Sequence, residues 1–154
     1  MMDLAAFKTK CGVTKTKYIK DLIDNDLIPG VKKGPSIEDT RFPDAARRPY
    51  HDRSKIKPTT PATDIRAHIV KACIDKEHIT NKMCYMSQDE FKAAINDLVK
   101  CGLITIRTEE GIEYYDSTSK CDELVKERYK AIRQFVLDAL GKVVENTVKE
   151  IKKT

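Results

Sequence analysis

The chain has 154 residues, of which 40% are hydrophobic and 34% charged, with a net charge of +5 at neutral pH. That length fits one domain or two small ones, and the composition is that of a soluble, highly charged globular protein. No stretch reaches the ~18 apolar residues of a membrane span, and the N-terminus has no apolar core of a secretory signal.

The charge is uneven. Residues 1–60 hold 13 Lys/Arg against 8 Asp/Glu, residues 61–120 hold 8 against 10, and residues 121–154 hold 8 against 6. The positive excess therefore sits at the N-terminal end, as a phosphate-contacting surface requires. The five cysteines (Cys11, Cys73, Cys84, Cys101 and Cys121) are odd in number and widely spaced. They signal neither a disulfide framework nor a zinc site. Cys11, Cys73 and Cys101 fall on apolar stripes, where a thiol acts as a small buried hydrophobe. Free thiols suit a reducing compartment, so a cytoplasmic location is expected.

Residues 3–30 read as two short helices. Leu4, Phe7 and Cys11 mark the inner face of the first, which ends at Gly12. Thr14 is placed to cap the second, whose inner face carries Tyr18, Leu22 and Ile23 before Leu27-Ile28-Pro29-Gly30 closes it. Its first turn holds Lys15, Thr16 and Lys17. Lysines there oppose the helix dipole at a cost of a few tenths of a kcal/mol. The same position suits contact with DNA phosphates or base edges.

Residues 31–60 are interrupted by proline and glycine and carry Lys32, Lys33, Arg41, Arg47 and Arg48 around Phe42 and Tyr50. A hairpin from about Val31 to Phe42, closed at Gly34-Pro35-Ser36, would form a basic wing. Residues 58–63 read as an extended linker. A helix is expected from Asp64 to about Lys76, capped by Thr63, and a shorter one over 78–86. Ser87-Gln88-Asp89-Glu90 is a capping box for a helix to Lys100. Strands follow from Leu103 to Thr108 and from Ile112 to Asp116, turning at Glu110-Gly111. The carboxylates at that turn make this surface a candidate for protein rather than phosphate contact. The remainder, from Asp122 to about Lys152, reads as one long helix with an apolar stripe through Val125, Tyr129, Ile132, Val136 and Ala139.

The two-helix segment, followed by Arg48-x-Tyr50, resembles the winged helix-turn-helix of the MerR and excisionase-like families. The resemblance covers roughly residues 3–57 and includes the helix exit Leu27-Ile28-Pro29-Gly30. Asp26 stands where that exit usually has glycine, and the cysteine ligands of metal-sensing members are missing. Residues 62–118 are similar to a bacterial winged helix, through Ser87-x-x-Glu90 and Leu98…Gly102-Leu103-Ile104.

These readings lead to a mainly α chain with small β-wings: two winged helix-turn-helix-type domains (1–57 and 64–120) and a long C-terminal helix (121–154). The expected function is binding of double-stranded DNA, as a transcriptional regulator or mobile-element accessory factor. Candidate contacts are Lys15, Thr16, Lys17, Tyr18, Lys32, Lys33, Arg41, Arg47 and Arg48. A homodimer through the C-terminal helix would present two such surfaces. The alternative is a protein-interaction adaptor without direct DNA readout. His51, His68 and His78 lie far apart, and no phosphate-loop, nucleophile-elbow or zinc-hydrolase motif occurs. No catalytic residue, metal or cofactor is therefore expected.

Overall fold

A computed structural model describes the backbone of residues 1–50 and 62–153 and the side chains of 1–50 and 65–142. Helix α1 (Leu4–Cys11) starts at Asp3, whose carboxylate accepts the Ala6 N–H at 2.8 Å. It stops at Gly12, whose φ of +66° turns the chain away. Helix α2 (Thr16–Asp24) begins later than expected. Lys15, not Thr14, takes its N-cap position and provides no side-chain cap. After Asn25 the chain turns at Asp26, with φ +56°, and the Leu27 N–H returns to the Leu22 carbonyl at 2.9 Å. The residue standing in for glycine thus adopts the backbone conformation glycine favours, one that Asp tolerates better than most side chains.

The hairpin expected over 31–42 is reduced to a single antiparallel bridge. Lys32 and Arg41 exchange two backbone hydrogen bonds of 2.9 Å, and Phe42 bridges back to Met2. Between them, side chains bind the loop to itself: Ser36 donates to Asp39 at 2.8 Å and Thr40 to the Ser36 carbonyl at 3.1 Å. Such local bonds compete with a strand ladder. Phe42 is anchored by stacking on Phe7, with ring centroids 4.1 Å apart.

Strand β1 (Arg48–Pro49) pairs in parallel with β2 (Glu77–His78), and Tyr50 extends the pairing with an N–H bond of 2.8 Å to the His78 carbonyl. Helix α3 (Ala62–Ile74) lies between them in sequence. The expected linker 58–63 falls outside the described residues except where α3 has already begun. No helix forms over 78–86: His78 is held extended in β2, and residues 81–86 make a turn closed by the Met86 N–H on the Asn81 carbonyl at 3.0 Å.

Helix α4 (Gln88–Lys100) is capped by Ser87, whose hydroxyl accepts the Glu90 N–H at 3.2 Å. Strands β3 (Ile104–Glu109) and β4 (Ile112–Ser117) form an antiparallel hairpin, with Glu110 at φ +53° and Gly111 at φ +78° in its turn. A 3-10 helix (Ser119–Leu124) leads into α5 (Tyr129–Lys153). Helix α3 is buried on nearly every side, through Ile65, Ala67, Ile69, Val70, Ala72 and Cys73. Ile132 and Val136 of α5 are buried, and α5 packs along α3. The stripe is thus covered within the chain at Ile132 and Val136, whereas the helix expected from Asp122 starts only at Tyr129 and Val125, the first residue of the stripe, precedes it and is 58% exposed.

This architecture corrects the expectation of a mainly α chain built from two winged helix-turn-helix-type domains. It is a mixed α/β structure with two two-stranded sheets. One of those sheets joins the N-terminal segment to residues 77–78, and both halves contribute to one hydrophobic core. No helix among the described residues is long and apolar enough to cross a membrane.

Candidate nucleic-acid interface

Helix α2 organises the basic surface. Its inner face buries Ile19, Leu22 and Ile23, which fixes the opposite face, with Lys17 and Lys20, in solvent. The missing cap leaves the first-turn amides without a side-chain acceptor from the N-cap residue. Exposed Lys15 stands at the same end.

The structure sorts the nine candidate residues into groups. Lys15 and Tyr18 meet Arg48 across a shallow groove of about 350 Å³, floored by Gly12, Val13 and Thr14. Tyr18 is half-buried, with its ring packed on the core. Lys32 and Arg41 are exposed and directly opposed at their bridge. The Arg41 guanidinium also donates to the carbonyls of Glu38 and Thr40 at 3.0 and 3.1 Å, which orients it along the loop. Lys33 lines a second groove with Lys20 and Asp24, at the far end of α2. The proximity of Lys20 to Lys33 comes from the folded loop and has no sequence signal.

Two candidates are engaged inside the fold. The Thr16 hydroxyl accepts the Lys8 ammonium at 2.6 Å. Arg47 pairs with Asp116 and donates to the Tyr115 carbonyl at 3.2 Å, with only 17% of its side chain exposed. Arg107 completes this arrangement with an Nε–H bond of 3.0 Å to Asp116, and its guanidinium lies 5.2 Å from the Tyr114 ring centre. Burial opposes charge on Asp116, but hydrogen bonds from Arg47 and Arg107 outweigh it and hold its pKa below the ordinary value. Arg47 is therefore a structural arginine, which corrects its assignment as a DNA contact.

His78 is buried, and desolvation with the nearby Arg47 charge lowers its pKa from 6.5 to about 4. It is neutral at pH 7 and packs edge-on against Tyr114. His68 is buried between Tyr129, on which it stacks at 4.1 Å, and the Tyr50 hydroxyl at 3.3 Å. His51 lies outside the described residues. All five cysteines are buried, and burial pushes the thiols of Cys73 and Cys84 up to about 12. Among the described residues no group of three or more His, Cys, Asp or Glu could hold a metal ion.

No protein-family model matches the chain, and no curated protein matches it.

Proposed function

We propose that the chain binds double-stranded DNA through the exposed face of α2 and the basic residues at its two ends. The observation that carries this reading is the groove where Lys15 and Tyr18 meet Arg48, a residue 33 positions after Lys15 in the chain. Lys17 is exposed in the first turn of the same helix. Lys15 and Lys17 oppose the helix dipole, and no described ion pair compensates them. Phosphate contact would turn that unfavourable arrangement into a favourable one, because the amides and the cations face the same anion. Lys32, Lys33 and Arg41 would extend the contact along the backbone.

The biological role that follows is transcriptional regulation or an accessory role in a mobile element. Pairing of two chains through α5, beyond the part that covers α3, would present two α2 surfaces to a symmetric site. Sedimentation at several protein concentrations tests that assembly.

The binding test is a gel-shift titration against random duplex and genomic fragments at two salt concentrations. Each neutralised phosphate should contribute roughly −0.9 to the log–log salt slope. Salt-insensitive binding, or full binding by a Lys15→Glu/Lys17→Glu variant, would sink the proposal. A second reading, an adaptor, draws on the exposed carboxylates Glu110 and Glu113 on the hairpin. An adaptor working through that hairpin would keep its protein partner in the same variant.

A further inference from the structure

A separate concavity of about 730 Å³ lies where the end of α4, the 3-10 helix and the middle of α5 converge. This volume is typical of small-molecule sites. Its floor is apolar: Leu103 and Cys101 are buried beneath it, and Phe135 and Ala139 line it from α5 while remaining half-exposed.

The rim is charged and leans positive, with Lys100, Lys120 and Lys142 against Glu123 and Asp138. Lys120 is held in place. Its stem runs across Gly102, where an added Cβ would lie 2.9 Å from Nζ and 3.3 Å from Cε. Its ammonium donates to the Cys101 carbonyl at 3.4 Å, at the C-terminal end of α4. Among the described residues neither Lys100 nor Lys142 forms an ion pair. The Asp138 carboxylate is engaged along its own helix, accepting from Gln134 at 3.0 Å. A positioned cation above an apolar floor, with two further ammonium groups nearby, matches one ligand chemistry.

We propose that this cleft binds a small aromatic monoanion, its ring against Phe135 and Ala139 and its charged group at Lys120. The site uses none of the residues assigned to DNA, so it stands or falls independently of that reading. Three lysines against two carboxylates leave the rim one positive charge in excess, which a single negative charge on the ligand balances.

The test uses the full chain and two probes: 8-anilinonaphthalene-1-sulfonate and its uncharged relative N-phenyl-1-naphthylamine. The sulfonate should saturate one site per chain. Lys120→Glu should weaken it about tenfold while changing the neutral probe less than about threefold. Ala139→Phe, which fills the cleft from its wall, should weaken both. Lys92→Glu alters net charge equally on the exposed face of α4 and should leave both unchanged. Circular dichroism confirms that each variant is folded. If Ala139→Phe does not fold, Phe135→Ala replaces it and should also weaken both probes. Non-saturating fluorescence overturns the proposal, as does a sulfonate affinity equal in wild type, Lys120→Glu and the cleft-wall variant. A loss equal in Lys92→Glu and Lys120→Glu overturns it as well, since it would reflect general charge attraction.

Discussion

Arg47 and Asp116, 69 positions apart, form an ion pair that joins the segment before β1 to strand β4. Asp116 is shared with Arg107, so the two partners are not equivalent. Arg47→Ala leaves the carboxylate with one guanidinium and should cost about 1 kcal/mol, whereas Asp116→Ala leaves the mostly buried Arg47 without its carboxylate, while Arg107 keeps Glu109, and should cost about 2 kcal/mol. Urea denaturation measures both. Arg47→Ala should retain wild-type DNA affinity wherever it is folded, which separates its structural role from that of Arg48.

Lys15 sets stability against binding. Lys15→Ser would supply the absent N-cap and remove a charge that opposes the dipole, raising stability by about 1 kcal/mol. The same change should weaken DNA binding and make its salt slope shallower by roughly 0.9. A stabilised variant with unchanged affinity would remove Lys15 from the interface.

Acid should destabilise the protein in two windows. His78 has a pKa of about 4 when folded against 6.5 unfolded, so between those values the unfolded chain binds more protons. Its contribution is complete above pH 6.5 and lost as pH falls toward 4, amounting to about 3 kcal/mol. Asp116, with its pKa depressed, acts lower. It stabilises above the ordinary carboxylate value of 3.8 and loses that effect as pH falls further. In denaturation curves from pH 7 to 4.5, His78→Leu should flatten the slope. An unchanged slope would show that His78 is not its source.

The β3–β4 turn places Glu110 at φ +53°. Paired with Gly111 at φ +78°, this is the mirror-image turn that favours Asn-Gly. Glu110→Asn should therefore stabilise by about 0.5 kcal/mol, and Gly111→Ala should destabilise by about 1 kcal/mol. Thermal melting gives the sign of each.

The buried thiols should resist modification in the native protein. Cys73 and Cys84, with pKa values pushed up to about 12, carry almost no thiolate at pH 8. Ellman's reagent should react slowly until denaturant opens the core, then report five thiols. Rapid native labelling would show that a thiol is accessible.

Elements defined by neighbouring residues were legible in the sequence. Phe7 and Cys11 announced the inner face of α1, Ser87 with Glu90 announced the start of α4, and Glu110-Gly111 announced the hairpin. Helical period, caps and turns act over a few residues, so local order suffices to specify them. The basic character of the α2 surface was legible for the same reason, since charge is a property of composition.

Tertiary structure alone decided which charges stay at that surface. Arg47 and Arg48 are adjacent in sequence, yet one meets Asp116 and the other meets Lys15 and Tyr18. Residues 77–78 became a strand because β1 supplied a partner from the other side of α3, and the stripe at Ile132 and Val136 was covered by α3. A backbone hydrogen bond, an ion pair and an apolar contact each depend on the partner the fold delivers, and that partner can come from anywhere in the chain. Local pattern therefore determined the pieces of this protein, and non-local pairing determined which of its basic residues face solvent.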